Sequence, residues 1–166
     1  MDDAKQQFSL IYDQYIDKIY RFIYLKVNAQ EVAEDSTSKV FLKGWESFHK
    51  NQEVKNVNAF LYRIARNSVI DYYREKGRTK VINFGQKEPD LRDAKVNLYE
   101  QMAVASDFEI VKVAIGNLKK EYQDIIILHY LEDMSSSQIS EIINRPEGTV
   151  RVMVHRGLKA LKDQLL

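Results

Sequence analysis

Apolar residues recur at three- and four-residue intervals along most of this chain, and only two prolines and six glycines in 166 residues interrupt them. That period gathers the apolar side chains on one side of successive α-helices, and no stretch shows the strict alternation of a half-buried strand. The expected fold is all-α. Phe8, Ile11, Tyr12, Tyr15, Ile16, Ile19, Ile23 and Val27 form one continuous stripe, ended by the corner Asn28-Ala29-Gln30. A second helix opens with Glu31, Glu34 and Asp35 at the positive end of its dipole, and packs Ala33, Thr37, Val40, Phe41, Gly44, Trp45 and Phe48. After a polar loop over 49–58, a third helix is expected from about residue 59 to 76, with Phe60, Leu61, Ile64, Ala65, Ser68 and Tyr72 facing inward.

Past Gly77 the period fades, acids and Pro89 enter, and the pattern returns only near Asp107. A structureless loop of that length is uncommon inside one compact domain, so 78–106 is read as an interdomain linker holding at most a short helix within 98–105. The chain then divides into a first domain over 1–77, the linker, and a second domain over 107–166. In the second domain, helices through Val111 and Ile115 and from Glu121 to Tyr130 supply scaffold, the latter through the run Ile125-Ile126-Ile127-Leu128.

Residues 134–161 carry the clearest functional signal. Ser135 with Gln138 makes a capping box, and Met134 with Ile139 occupies the positions of a hydrophobic staple. Ile139, Ile142 and Ile143 line the inner side of the helix, and Asn144-Arg145-Pro146-Glu147-Gly148 stops it. A second helix is expected from about Thr149, with Val150, Met153 or Val154, Leu158 and Leu161 inward. Arg151, His155, Lys159 and Lys162 follow one another along another face at helical spacing, and the helix also carries Arg156. A capped helix, a short turn and a basic second helix form the layout of a DNA-reading helix-turn-helix, with the second helix in the major groove.

The formal net charge is only +1, but it is segregated. Residues 60–80 hold six Lys or Arg against two acids, and 145–166 hold five against two, whereas 81–110 hold three against six. Two basic faces separated by an acidic strap can each present a local positive field to a phosphate backbone. On the third helix, Arg63, Arg66, Asn67, Ile70 and Arg74 share an outward face with Tyr62 and Tyr73 beside them, a mixture of cations and rings suited to single-stranded nucleic acid.

Enzymatic chemistry finds no support. His49, His129 and His155 are scattered, no Gly-rich phosphate loop or nucleophile elbow is present, and Ser135-Ser136-Ser137 reads as a capping run. His129, inside an apolar run, reads as a packed core histidine. With no cysteine there is neither a disulfide framework nor a thiolate metal site, and no catalytic residue, metal or cofactor is expected. The amino terminus lacks an apolar signal core and no run is long enough to span a bilayer, so a cytoplasmic protein without membrane insertion or a small-molecule substrate is expected.

The segments AEDSTSKVFLKGW, FLYRIARNSVIDYYREKGR and SQISEIINRPEGTVRVMVHRGLKAL resemble a bacterial sigma factor of the extracytoplasmic-function group, small sigma-70 relatives that keep only the second and fourth conserved regions. The resemblance implies a region 2 helical bundle and a region 4 helix-turn-helix joined by the linker, in a non-catalytic subunit that gives core RNA polymerase its promoter choice. It implies that Asp35, Ser38, Lys39 and Leu42 dock on the clamp helices of the largest polymerase subunit, and that the second domain meets the flap. It further implies that the loop over 49–58 and the third helix, with Asn58, Arg63, Arg66, Asn67 and Arg74, capture and melt the minus-ten element of promoter DNA. Thr149, Arg151, Val152, His155, Arg156 and Lys159 would read the minus-thirty-five element, and an anti-sigma factor is an implied partner. The sequence departs from the family pattern at Ser36, Ser38 and Lys39, where relatives usually carry an apolar residue, a glutamine and an acid. It departs again at Val152, often a small hydroxyl residue, and at Lys119, where Leu-Pro is usual. Two other readings compete: an operator-binding helix-turn-helix regulator that does not dock on polymerase, and an interaction module serving an inhibitory partner.

Overall fold

The computed structural model describes residues 2–50, 56–82 and 107–166, and among them every regular element is helical. Three helices build the first domain: α1 (Asp2–Val27), α2 (Gln30–His49) and α3 (Val57–Ile82). Four build the second: α4 (Asp107–Gly116), α5 (Lys120–Ile126), α6 (Ser136–Ile143) and α7 (Glu147–Leu165). The short helix expected within 98–105 and most of the linker lie outside the described residues, as does the greater part of the 49–58 loop. The third helix continues through Gly77 to Ile82, past its expected end at 76.

Asn28 closes α1 by turning into the left-handed region at φ 52°, and its N–H donates to Tyr24 O at 2.8 Å. An asparagine tolerates that conformation, so α2 can fold back along α1 after a single residue of extended chain. Ile19, Phe22, Ile23, Val40, Leu61 and Tyr62 form the centre of this bundle, and the Phe8 ring meets Phe41, Trp45 and Phe48 at its far end. A Cβ on Gly44 would lie 3.2 Å from Leu61 Cδ2, so the glycine permits the close crossing of α2 and α3.

Sequence period places Tyr62 on the outward face of α3, and the structure corrects this: Tyr62 is fully buried, edge-to-face with Phe22 at 5.6 Å. Helix α3 is covered on two sides, by α1 and α2 and by α6 of the second domain. A helix enclosed that way has an apolar surface wider than a single stripe reveals.

In the second domain α5 and α6 both pack on α7. Ile125, Ile126, Ile127 and Leu128 are at most 2% exposed, which explains an apolar run with no polar side. The α-helix expected up to Tyr130 instead opens at Ile127 into a π-helical turn, Ile127–Leu131, with Glu132 N donating to Ile127 O at 3.0 Å. His129, expected in the core, is only half-buried in this turn, its Nδ1 3.0 Å from Met134 O. Helix α4 also packs against α1, and the buried residues of both domains join in one continuous core.

Candidate nucleic-acid and polymerase interfaces

The capping box at the start of α6 is complete: Gln138 N donates to Ser135 Oγ at 3.2 Å, and Ser135 N donates to Gln138 Oε1 at 2.9 Å. Asn144, left-handed at φ 56°, ends α6. Pro146 then serves as N-cap of α7, its carbonyl accepting from Val150 N at 3.0 Å. The second helix therefore begins at Glu147, two residues before Thr149, because proline lacks only the N–H that the start of a helix leaves unpaired anyway. Thr149, Arg151, Val152, His155, Arg156 and Lys159 are all exposed on α7, while Val150 and Gly157 are buried against the rest of the domain. Arg151 Nη2 donates to Glu147 Oε1 at 2.6 Å one turn earlier, which holds the guanidinium beside the helix N-terminus.

The basic face of α3 is arranged otherwise. Arg63 donates through Nε, at 2.7 Å, and through Nη2 to the carbonyl of Glu141 on α6. Arg66 Nε donates to Asp124 Oδ2 at 3.0 Å, and Asn58 Nδ2 lies 3.8 Å from Met134 Sδ. Asn67 is exposed at the mouth of a cavity of about 400 Å³ that it shares with Arg63, Arg66, Ile142, Ile143 and Asn144. Arg74 is exposed beside a second cavity of about 330 Å³, which Lys26, Tyr73 and Lys120 also line. The five residues do lie along one helix, but the second domain is seated on that helix and takes the hydrogen bonds of two of its arginines. Tyr73 belongs to the same seam: its hydroxyl donates to Lys26 O, and Lys120 Nζ sits 3.8 Å from its ring centre.

On α2, Asp35, Ser38 and Lys39 are exposed, and Leu42 is 59% exposed, a large apolar side chain left in water. Asp35 and Lys39 border a groove of about 350 Å³ between α2 and α3, floored in part by Ser36, Ile64 and Ser68. Ser36 is buried and belongs to the packing between helices, whereas Ser38 and Lys39 belong to the open surface.

Sequence reasoning missed the charged pairs that join the domains. Lys26 and Asp124 form an ion pair with side chains 3% and 6% exposed, and Arg21 holds the buried Glu132 at 2.9 and 2.7 Å. Burial pushes the Lys26 amine below its usual range, with Asp124 opposing that shift. The available signal was a lone cation inside Leu25-Lys26-Val27 and a lone acid opening Asp124-Ile125-Ile126, each a charge placed where the period demands burial. Among the described residues no cluster of three or more His, Asp or Glu could hold a metal ion, and no helix is long and apolar enough to cross a membrane.

Comparison with known proteins settles the family. Residues 11–79 match sigma-70 region 2, and residues 108–161 match sigma-70 region 4. The sigma factor SigW of Bacillus subtilis, of the extracytoplasmic-function group, is 31% identical over 95% of this chain and 88% of its own length. The chain belongs to the sigma-70 family, in its extracytoplasmic-function group. SigM of the same bacterium is 28% identical over 92% of the chain and 91% of its own length. Among solved structures, the Bartonella quintana sigma factor RpoE, crystallised with the anti-sigma factor NepR, aligns with a TM-score of 0.73 at 21% identity, over 99% of this chain and 98% of that one. CnrH in complex with the cytosolic domain of CnrY aligns with a TM-score of 0.69 at 17% identity, over 97% and 88%.

This protein is thus an RNA polymerase sigma factor, which binds core polymerase and promoter DNA and directs promoter-specific initiation. An operator-binding regulator independent of polymerase is not favoured, since region 2 accompanies the helix-turn-helix. In this sigma factor the seam of ion pairs runs between region 2 and region 4.

Proposed function

We propose a division of labour among three surfaces of this sigma factor. The exposed face of α7 reads the minus-thirty-five element, with Arg151, Val152, His155 and Arg156 at base edges and Thr149 and Lys159 on the backbone. The observation carrying this reading is that all six residues are exposed on a helix whose opposite side is buried and whose preceding turn is capped at both ends. An arginine paired with guanine in the major groove contributes roughly 1–3 kcal/mol of discrimination.

The α3 face serves the melted strand. Arg63, Arg66 and Arg74 hold phosphates, and Asn58 and Asn67 meet an extruded base, whose removal from the stack costs a few kcal/mol. Asp35, Ser38, Lys39 and Leu42 dock on the clamp helices of polymerase, with exposed Leu42 as the apolar anchor, and region 4 meets the flap. The protein is a non-catalytic cytoplasmic subunit, and an anti-sigma factor covers its polymerase-binding surfaces when it is held inactive.

The experiment is in vitro transcription from fragmented bacterial genomic DNA by core polymerase, with and without this protein, mapping RNA 5′ ends. New starts that share two upstream elements are expected. Failure of Leu42→Ala and Lys39→Glu to alter polymerase affinity would remove the α2 face from the docking surface. Unchanged permanganate reactivity with Asn67→Ala would remove the base pocket from α3.

A further inference from the structure

Val152 stands in the middle of the exposed face of α7, and its side chain can make no hydrogen bond. It is 47% exposed, a β-branched apolar residue left in water. At about 100° per residue it lies about 160° round the helix from buried Val150 and about 140° from buried Gly157. Arg151 and Arg156 flank it on either side, about 100° and 40° away. Gly148, one turn earlier on the same side, is exposed, and nothing stands within 4 Å of where a Cβ on it would lie. Helical side chains lean over the turn before them, so the Val152 isopropyl group overhangs bare backbone. The two residues form a shallow apolar notch, and β-branching keeps its wall stiff.

We propose that Val152 selects a thymine in the minus-thirty-five element by packing on its C5-methyl group, which enters the notch over Gly148. The proposal rests on the assignment of α7 to that element made above, and goes beyond it in naming the base and the group that is read.

A helix seated in the major groove turns the middle of its exposed face to the groove floor. That floor is lined by hydrogen-bond donors and acceptors, and the thymine methyl is its one apolar group. An isopropyl group set against guanine O6 and N7, or against the cytosine amino group, takes water from them and returns no hydrogen bond. Against thymine it removes two apolar surfaces from water at once. A small hydroxyl residue in the same place can pair with several base edges or with a phosphate, so valine narrows the choice. The selection comes as much from the bases it refuses as from the one it accepts.

The test uses holoenzyme, the full chain with core polymerase, and synthetic duplexes of a promoter found by the transcription screen. Each thymine of the minus-thirty-five element, on either strand, is replaced in turn by uracil, which removes the methyl and leaves every hydrogen-bonding group in place. Competition binding is expected to find a position at which uracil weakens binding about three- to fivefold, the worth of one buried methyl. In Val152→Ala, a change on an exposed surface, the same replacement is expected to cost less than about 1.5-fold. A cytosine placed at that position should bind the wild type better by about threefold once it is 5-methylated, and Val152→Ala should not distinguish the two.

Equal sensitivity to uracil in the wild type and in Val152→Ala would overturn the proposal, since another residue would then hold the methyl. Indifference to uracil at every position, while base-pair changes in the element still weaken binding, would also overturn it and leave α7 reading the element without a methyl contact. Indifference to every base-pair change in the element would bring down the assignment of α7 itself, and the proposal with it.

Discussion

Arg66 of α3 and Asp124 of α5, 58 residues apart in sequence, meet through a 3.0 Å hydrogen bond, and Lys26 approaches the same carboxylate from α1. One acid thus ties together the last turn of α1, the middle of α3 and the second domain. Arg66 is about one-third exposed, but Lys26 and Asp124 are out of water, and their mutual attraction has to offset the loss of hydration of both. The Lys26 amine is pushed below its usual range by burial, with Asp124 opposing that shift, so the attraction offsets only part of that loss.

A double-mutant cycle should therefore behave asymmetrically. Asp124→Leu alone leaves the buried Lys26 amine without its counter-ion in an apolar seam, and is expected to destabilise the protein by about 3 kcal/mol or more. Lys26→Met with Asp124→Leu removes both charges, lets Arg66 return to solvent, and should recover most of that loss. Urea denaturation of the wild type, both single variants and the double variant gives the coupling. A double variant as unstable as the single one would mean that the pair holds the seam through geometry that apolar packing cannot replace.

Much of the helix-turn-helix was legible because its signals are local. The capping box and the stop within residues 144–148 each follow from residues within four positions of one another and stand where the sequence put them. The stop is made by left-handed Asn144, however, and Pro146, expected only to break the first helix, opens the second, which starts at Glu147, two residues early. The α3 face was legible only in part. Period identifies a face but not what covers it, so Tyr62 looked like a ring for bases when its partner is Phe22, and Arg63 and Arg66 looked free when their partners lie 78 and 58 residues away. Those partners, a carbonyl of α6 and one acid before an apolar run, leave no periodic trace. The π-helical turn at 127–131 was hidden for a similar reason, since four consecutive apolar residues fit any buried helix.

The replacement of the usual proline by Lys119 leaves a backbone ready to take it back. Lys119 is the N-cap of α5, with φ −57° and ψ 144°, the φ that a pyrrolidine ring imposes. Its carbonyl accepts from Tyr122 N and Gln123 N at 2.9 and 3.0 Å, and proline keeps that carbonyl. Lys119→Pro is expected to stabilise the protein by about 0.4–1 kcal/mol, chiefly by restricting the unfolded chain. Calorimetry should find a Tm higher by a few degrees, and a lower Tm would mean that the Lys119 N–H or side chain contributes more than its geometry indicates.

Tyr62 predicts how the fold fails at high pH. Its hydroxyl is buried beside Glu132, and neither that hydroxyl nor Glu132 Oε2 has a hydrogen-bond partner among the described atoms. Burial first, and the Glu132 carboxylate second, push the phenol far above its ordinary range. Below pH 10 the phenol is neutral in both folded and unfolded chains and the native state keeps its full stability. Above pH 10 only the unfolded chain releases the proton, so stability falls by about 1.4 kcal/mol per pH unit from this group. Tyr15 and Tyr73, raised in the same direction by burial, add smaller losses. A denaturation series from pH 9 to 11 should show a decline that Tyr62→Phe lessens; an unchanged slope in that variant would assign the alkaline loss to other groups.

Arg151 and Arg156 separate two ways in which α7 can hold DNA. Arg151 is held by Glu147 at 2.6 Å, but both side chains are largely in solvent, and an exposed pair of this kind is worth at most about 1 kcal/mol, which a guanine edge or a phosphate can outbid. If Arg151 reads a base, Arg151→Ala should cost roughly 1–3 kcal/mol on the preferred minus-thirty-five element and little on one already changed at the contacted pair. If it holds phosphate, the loss should be the same on every element and the salt dependence should fall by about one ion. Arg156, on the same exposed surface with no described partner, serves as the comparison. Promoter competition with each variant at two salt concentrations measures both quantities. Sequence-dependent loss at Arg151 together with uniform loss at Arg156 would assign base reading to Arg151 and phosphate contact to Arg156, which five residues of helix rotate by about 140° from it at the edge of the exposed face.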